Sequence, residues 1–176
     1  MLYSDLLRAT VFLAAAVATA LGALALAVAK QDESTGTLVL AGVWWVLAAG
    51  GGLYLGQRAG AGEEIGATLA EARPARALPD ASPARVALGR LWPFAAFTLV
   101  AGLGGLLYSQ VAAIGAGYAI VGALAWRRRE AAVIAIEDRD GARFYVEPTI
   151  APRPLKLVRA PGFRGDRLGE TETEFA

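Results

Sequence analysis

Residues 91–126 read LWPFAAFTLVAGLGGLLYSQVAAIGAGYAIVGALAW, 36 residues without a charged side chain, closed by Arg127, Arg128 and Arg129. One membrane-spanning helix needs about 20 apolar residues. The stretch is too long for one crossing and fits two. Its polar break is Tyr108-Ser109-Gln110, so the reading is a tight helical hairpin that enters at Trp92, turns at Ser109 and returns to Trp126. The chain is expected to be an all-α integral membrane protein.

Composition agrees. The 176 residues are 56% apolar, with a mean hydropathy of +0.45. The chain contains neither cysteine nor histidine, which excludes disulfides, thiol catalysis, Cys or His metal and haem ligation, and histidine acid–base chemistry. No cofactor and no metal are expected. The abundance of arginine, alanine and glycine is the composition of a high-GC bacterial genome, a compositional association.

On the N-terminal side of the hairpin two more spans are expected. Ala9–Ala29 is uncharged, and Leu38–Leu55 is uncharged up to Gln57 and Arg58. Ala27-Val28-Ala29 has the small-x-small form of a signal cleavage site, but Asp5 sits beside Arg8 and the apolar run exceeds a signal core. A retained helix is expected. Trp44 and Trp45 fall mid-span rather than at an interface, where helix packing is the simplest role.

Between the two pairs of spans lies a polar linker, 59–90. Glu63–Arg73 has the form of a short amphipathic helix with Ile65 and Leu69 on one face. Ser82 followed by Pro83 is a helix start, and Pro93 would then lie inside the third span. Beyond Arg129, the runs Val133–Glu137 and Arg143–Glu147 flank Asp140-Gly141, the pattern of a β-hairpin. A lone two-stranded hairpin is marginal in water, so it needs a surface to pack on, from this chain or another. A basic, proline-rich extended tail and an acidic end, 170–176, follow. The expected organisation is 1–58, a first transmembrane helical hairpin; 59–90, a cytoplasmic linker; 91–129, a second helical hairpin; and 130–176, a cytoplasmic β-hairpin and tail.

Sixteen of the seventeen basic residues lie in the N-terminus, the linker and the C-terminal segment, and only Lys30 lies opposite. The positive-inside rule then places both termini in the cytoplasm and the chain in a bacterial inner membrane. Arg58, Arg90, Arg127, Arg128 and Arg129 are the candidate membrane-boundary residues, beside anionic lipid. The order helix–loop–helix–arginine occurs twice, either as a loose repeat or as the common likeness of Ala/Gly/Leu helices. Small residues recur at four-residue spacing in Ala14-Ala18-Gly22, Ala101-Gly105 and Gly115-Ala119-Ala123, serving packing within the chain or an interface with another.

No acid or base lies inside a span, so the usual mark of proton or ion coupling is missing. Acids interleave the basic tail, and no nucleic acid is expected as a partner. The expectation is a non-catalytic accessory subunit of a larger membrane complex, not an enzyme. Val133, Ile134, Phe144, Tyr145, Lys156 and Arg159 are its candidate partner contacts. The runner-up is a small homo-oligomeric channel or transporter for an uncharged or lipid-like solute; it needs a polar path, and the sequence offers few groups to line one, Thr98, Ser109 or backbone.

Overall fold

The computed structural model describes residues 1–31, 35–57, 59–74 and 82–161. Arg58, Asp80, Ala81 and the 170–176 segment lie outside the described residues. Four helices are long and apolar enough to cross a membrane: α1 (Tyr3–Gln31), α2 (Thr35–Gln57), α4 (Pro83–Leu107) and α5 (Ser109–Asp140). A shorter helix, α3 (Ala59–Ala70), lies between α2 and α4, and three short strands complete the fold: β1 (Arg73–Pro74), β2 (Ala142–Val146) and β3 (Leu157–Pro161).

Helix α4 starts where its sequence says it should. Ser82 sits extended at the N-cap position, φ −61° and ψ 134°, with Pro83 following; its hydroxyl makes no capping hydrogen bond. The break between α4 and α5 is Tyr108 alone, whose N–H donates to the Gly104 carbonyl. A Cβ on Gly105 would come within 2.6 Å of Ala112 Cβ, so the two helices pass in close contact there.

Helix α5 is the axis of the bundle and packs on each of the other four helices. Helix α1 lies mainly on α5 and touches α2 little, so α1 and α2 do not pair as α4 and α5 do. All three small-residue stripes are used within the chain: Ala14, Gly22, Ala101, Gly105, Gly115 and Ala119 are buried in it. Small side chains let backbones approach, the means by which helices associate in lipid.

Helix α5 also runs about three turns beyond the arginine triplet, to Asp140. Val133–Glu137, expected as the first strand of a β-hairpin, is helical. Its β-branched residues disfavour helix by only about half a kilocalorie per mole each, whereas Val133 and Glu137, one turn apart, bury a single face at 0% and 1% exposure. Gly141 is therefore not a hairpin turn. It ends the helix in the left-handed region, φ 60°, and its N–H donates to the Glu137 carbonyl.

The strand expected at Arg143–Glu147 forms as β2, and its antiparallel partner is β3, from the tail, with Phe144 opposite Arg159 and Val146 opposite Leu157. Strand β1, from the linker, adds to β3 in parallel, giving the order β1–β3–β2. Leu2 bridges Tyr145, and Val146 N–H donates to the Met1 carbonyl at 3.0 Å. The N-terminus, linker and tail thus meet in one small headpiece at one end of the bundle.

The headpiece has its own core. Leu6, Ile65, Leu69, Val86, Phe144 and Val146 are all buried and packed together. Ile65 and Leu69 supply the apolar face expected of the amphipathic segment, although α3 ends at Ala70 rather than Arg73. The buried Glu137 carboxylate joins helix to sheet: it accepts from Phe144 N–H at 3.1 Å and from Arg143 Nη1 at 3.2 Å. Glu137→Ala orphans that buried N–H and is expected to destabilise the headpiece by about 1–3 kcal/mol. Glu137→Gln keeps an acceptor and should lose less. Amide exchange at Phe144 checks both, and equal exchange in the two variants would contradict the assignment.

Candidate functional site

Pro93 has no N–H, so it cannot give the helical hydrogen bond to the carbonyl four residues earlier. That carbonyl belongs to Gly89, and Ala151 N–H takes it at 2.9 Å. Two further bonds hold the same turn: Trp92 Nε1–H donates to the Ala151 carbonyl at 3.1 Å, and Arg90 Nη1 to the Arg153 carbonyl at 2.7 Å. The proline of the third span is thus the reason the proline-rich segment docks on α4. Pro93→Ala supplies a competing N–H. Amide exchange at Ala151 should then rise about tenfold, for the loss of one net hydrogen bond; unchanged exchange would show that the turn is held by other means.

The docked turn closes one wall of an open groove of about 580 Å³ between α1, α4 and α5. Its apolar lining includes Leu6, Leu7, Phe94, Phe97 and Trp126, with Leu155 contributed by the tail. Phe94 stands edge-on to Trp126, ring centroids 6.0 Å apart. The polar lining is Tyr3, Thr10 and Arg90. Thr10 is satisfied, its hydroxyl donating to the Leu6 carbonyl at 2.8 Å. Arg90 is not: Nε and Nη2 are buried and have no hydrogen-bond partner. No carboxylate lines the groove among the described residues.

Of the other boundary arginines, Arg127, Arg128 and Arg129 are exposed where α5 leaves its apolar stretch. The Arg128 stem lies against Gly56, where an added Cβ would be 2.8 Å from Arg128 Cγ. Next to the triplet, Glu130 accepts from Arg8 Nε at 2.8 Å and ties α5 to α1.

The partner-contact residues divide. Val133 and Phe144, 0% and 2% exposed, face the chain's own headpiece core. The surface that β2 needed is supplied by this chain. Ile134 and Tyr145 are half-buried, while Lys156 and Arg159 are exposed. Ser109 is 2% exposed, and the Thr98 hydroxyl donates to the Phe94 carbonyl within its own helix. Trp44 and Trp45 pack as expected for mid-span indoles: Trp45 Nε1–H donates to the Ala113 carbonyl at 2.9 Å, and Trp44 meets Tyr118 edge-on at 5.7 Å. The described residues hold no cluster of three acids placed to bind a metal ion.

Sequence reasoning gave Arg90 as a boundary residue but missed the groove. The available signal was the spacing of Pro93 from Gly89, which leaves a carbonyl in need of a donor.

Four helices long and apolar enough to cross a membrane fit a multi-pass membrane protein. Comparison of the chain with protein-family models, with curated proteins and with solved structures found no match.

Proposed function

We propose that the chain is a non-catalytic accessory or structural subunit of a larger complex in a bacterial inner membrane. Its headpiece and both termini face the cytoplasm, and the arginine triplet lies beside anionic lipid. The uneven distribution of basic residues supports that orientation.

The observation that carries the subunit reading is the outer face of α2. Gly52 and Gly56 on α2 have a use, because a Cβ on either would meet α5 within 3.0 Å. Gly42, Gly50 and Gly51 have none: a Cβ there would meet nothing within 4 Å. Each helical glycine costs about 1 kcal/mol relative to alanine, and in lipid the usual compensation is close approach of another helix. Val43, Val46 and Leu47 are exposed on the same helix, at 54–72%. A helix from another membrane protein, laid along Gly42 and Gly50, would account for this surface.

The test is extraction in mild detergent, with mass determination and identification of co-purifying proteins. The chain has no cysteine, so Gly42→Cys and Gly50→Cys each give a single cross-linking site. A stoichiometric set of other membrane proteins, cross-linked through these positions, is the expected result. A homo-oligomer without partners would overturn the subunit reading. It would favour the second one, a homo-oligomeric channel or transporter for an uncharged or lipid-like solute, for which the apolar groove is the relevant feature.

A further inference from the structure

We propose that the groove between α1, α4 and α5 is a built site for one anionic phospholipid, with its phosphate on Arg90 and the upper part of an acyl chain along Leu7, Phe94 and Phe97. The proposal rests on the membrane placement above and not on the subunit role.

The first support is an unbalanced charge. Arg90 is half-buried, and guanidinium nitrogens removed from water are costly unless paired. Arg90 has two buried nitrogens without partners, and no carboxylate lines the groove among the described residues. Among the described residues no acidic group answers it, and an anion bound in the groove would supply the countercharge.

The second support is geometry. Nε and Nη2 form one edge of the guanidinium plane, the edge that grips a phosphate or carboxylate through two parallel hydrogen bonds. The opposite nitrogen, Nη1, is fixed on the Arg153 carbonyl at 2.7 Å. The docked turn therefore orients the fork, and side-chain adjustments of the kind common on binding admit the anion.

Depth and lining select a lipid over a free anion. Arg90 immediately precedes the uncharged stretch that begins at Leu91, and Trp92 and Trp126 stand at the two ends of that stretch, as indoles do at membrane boundaries. Apart from Tyr3, Thr10 and Arg90, the lining is apolar. An anion at this depth attached to a hydrocarbon chain is an anionic phospholipid, and inorganic phosphate would leave the aromatic wall bare.

The test is native mass spectrometry of the delipidated full chain in detergent, titrated with phosphatidylglycerol, phosphatidylcholine or inorganic phosphate. The expected result is one phosphatidylglycerol per chain, held about tenfold more tightly than phosphatidylcholine, as charge-assisted hydrogen bonds predict. Arg90→Gln should abolish that preference. Arg90→Lys, which keeps the charge but lacks the fork, should lose most of it. Arg85→Gln, removing an exposed arginine of the same helix, should leave it unchanged. Circular dichroism confirms that each variant is folded. No preference in the wild type, full retention in Arg90→Lys, equal loss in Arg85→Gln, or equal retention of inorganic phosphate would overturn the proposal. None of these readouts depends on a protein partner, so failure here is distinct from failure of the subunit reading.

Discussion

Phe144→Ala is expected to destabilise the headpiece by about 3–5 kcal/mol, the usual range for emptying a core aromatic site. Phe144 is 2% exposed and is among the largest fully buried side chains of the described residues. It packs in a core with Leu6 of α1, Ile65 of α3, Val86 of α4 and Val133 of α5, so the cavity would open where four helices and the sheet converge. Relaxation cannot readily fill it, because each wall is fixed by a different element. The spans should stay associated, since their contacts use other residues, chiefly Val17, Ala101, Ala116 and Ala119. Limited proteolysis in detergent would show it: cleavage should rise in 142–161 and not in α1, α2 or α5. Unchanged protection of the sheet would show that Phe144 does not hold it, and uniform cleavage of the whole chain would show that headpiece and bundle are one cooperative unit.

The second large effect belongs to Gly117. A Cβ at this position falls inside the Trp44 indole, on Nε1. The ring is held by two relations to α5: a long hydrogen bond from Nε1 to the Ile114 carbonyl, 3.4 Å, and the edge-on contact with Tyr118. Gly117→Ala displaces the ring and disturbs both. Overpacking of this kind costs about 1–3 kcal/mol, and Gly117→Val should exceed alanine. Because the damage acts through one neighbour, removing that neighbour should relieve it. Gly117→Ala with Trp44→Leu is expected to be more stable than the sum of the two single changes, the non-additivity of residues in contact. Thermal unfolding in detergent supplies the cycle. Strict additivity would mean that the two residues do not touch in the folded protein.

Sequence and structure agree where local rules had no rival. Uncharged length placed the four spans, the pair Ser82-Pro83 placed the start of α4, and Ile65 with Leu69 placed the buried face of α3. They part where a local pattern had two solutions. The β-branched run at Val133–Glu137 also carries a helical spacing, and the choice fell to helix because Val133 and Glu137 could be buried together one turn apart. Asp140-Gly141 serves a hairpin turn or a helix end equally well, since both use the left-handed conformation of glycine, φ 60° here.

The amino-acid sequence alone determined that this chain has four stretches long and apolar enough to cross a membrane, because that property follows from uncharged apolar length. Tertiary structure alone decided that α5 is the central helix, that linker and tail join as β1 and β3, and that Nε and Nη2 of Arg90 lack a partner among the described residues beside an apolar groove. The reason is physical. A carbonyl freed by Pro93 and the charge of Arg90 are local facts, but the groups that answer them are brought near only by the fold.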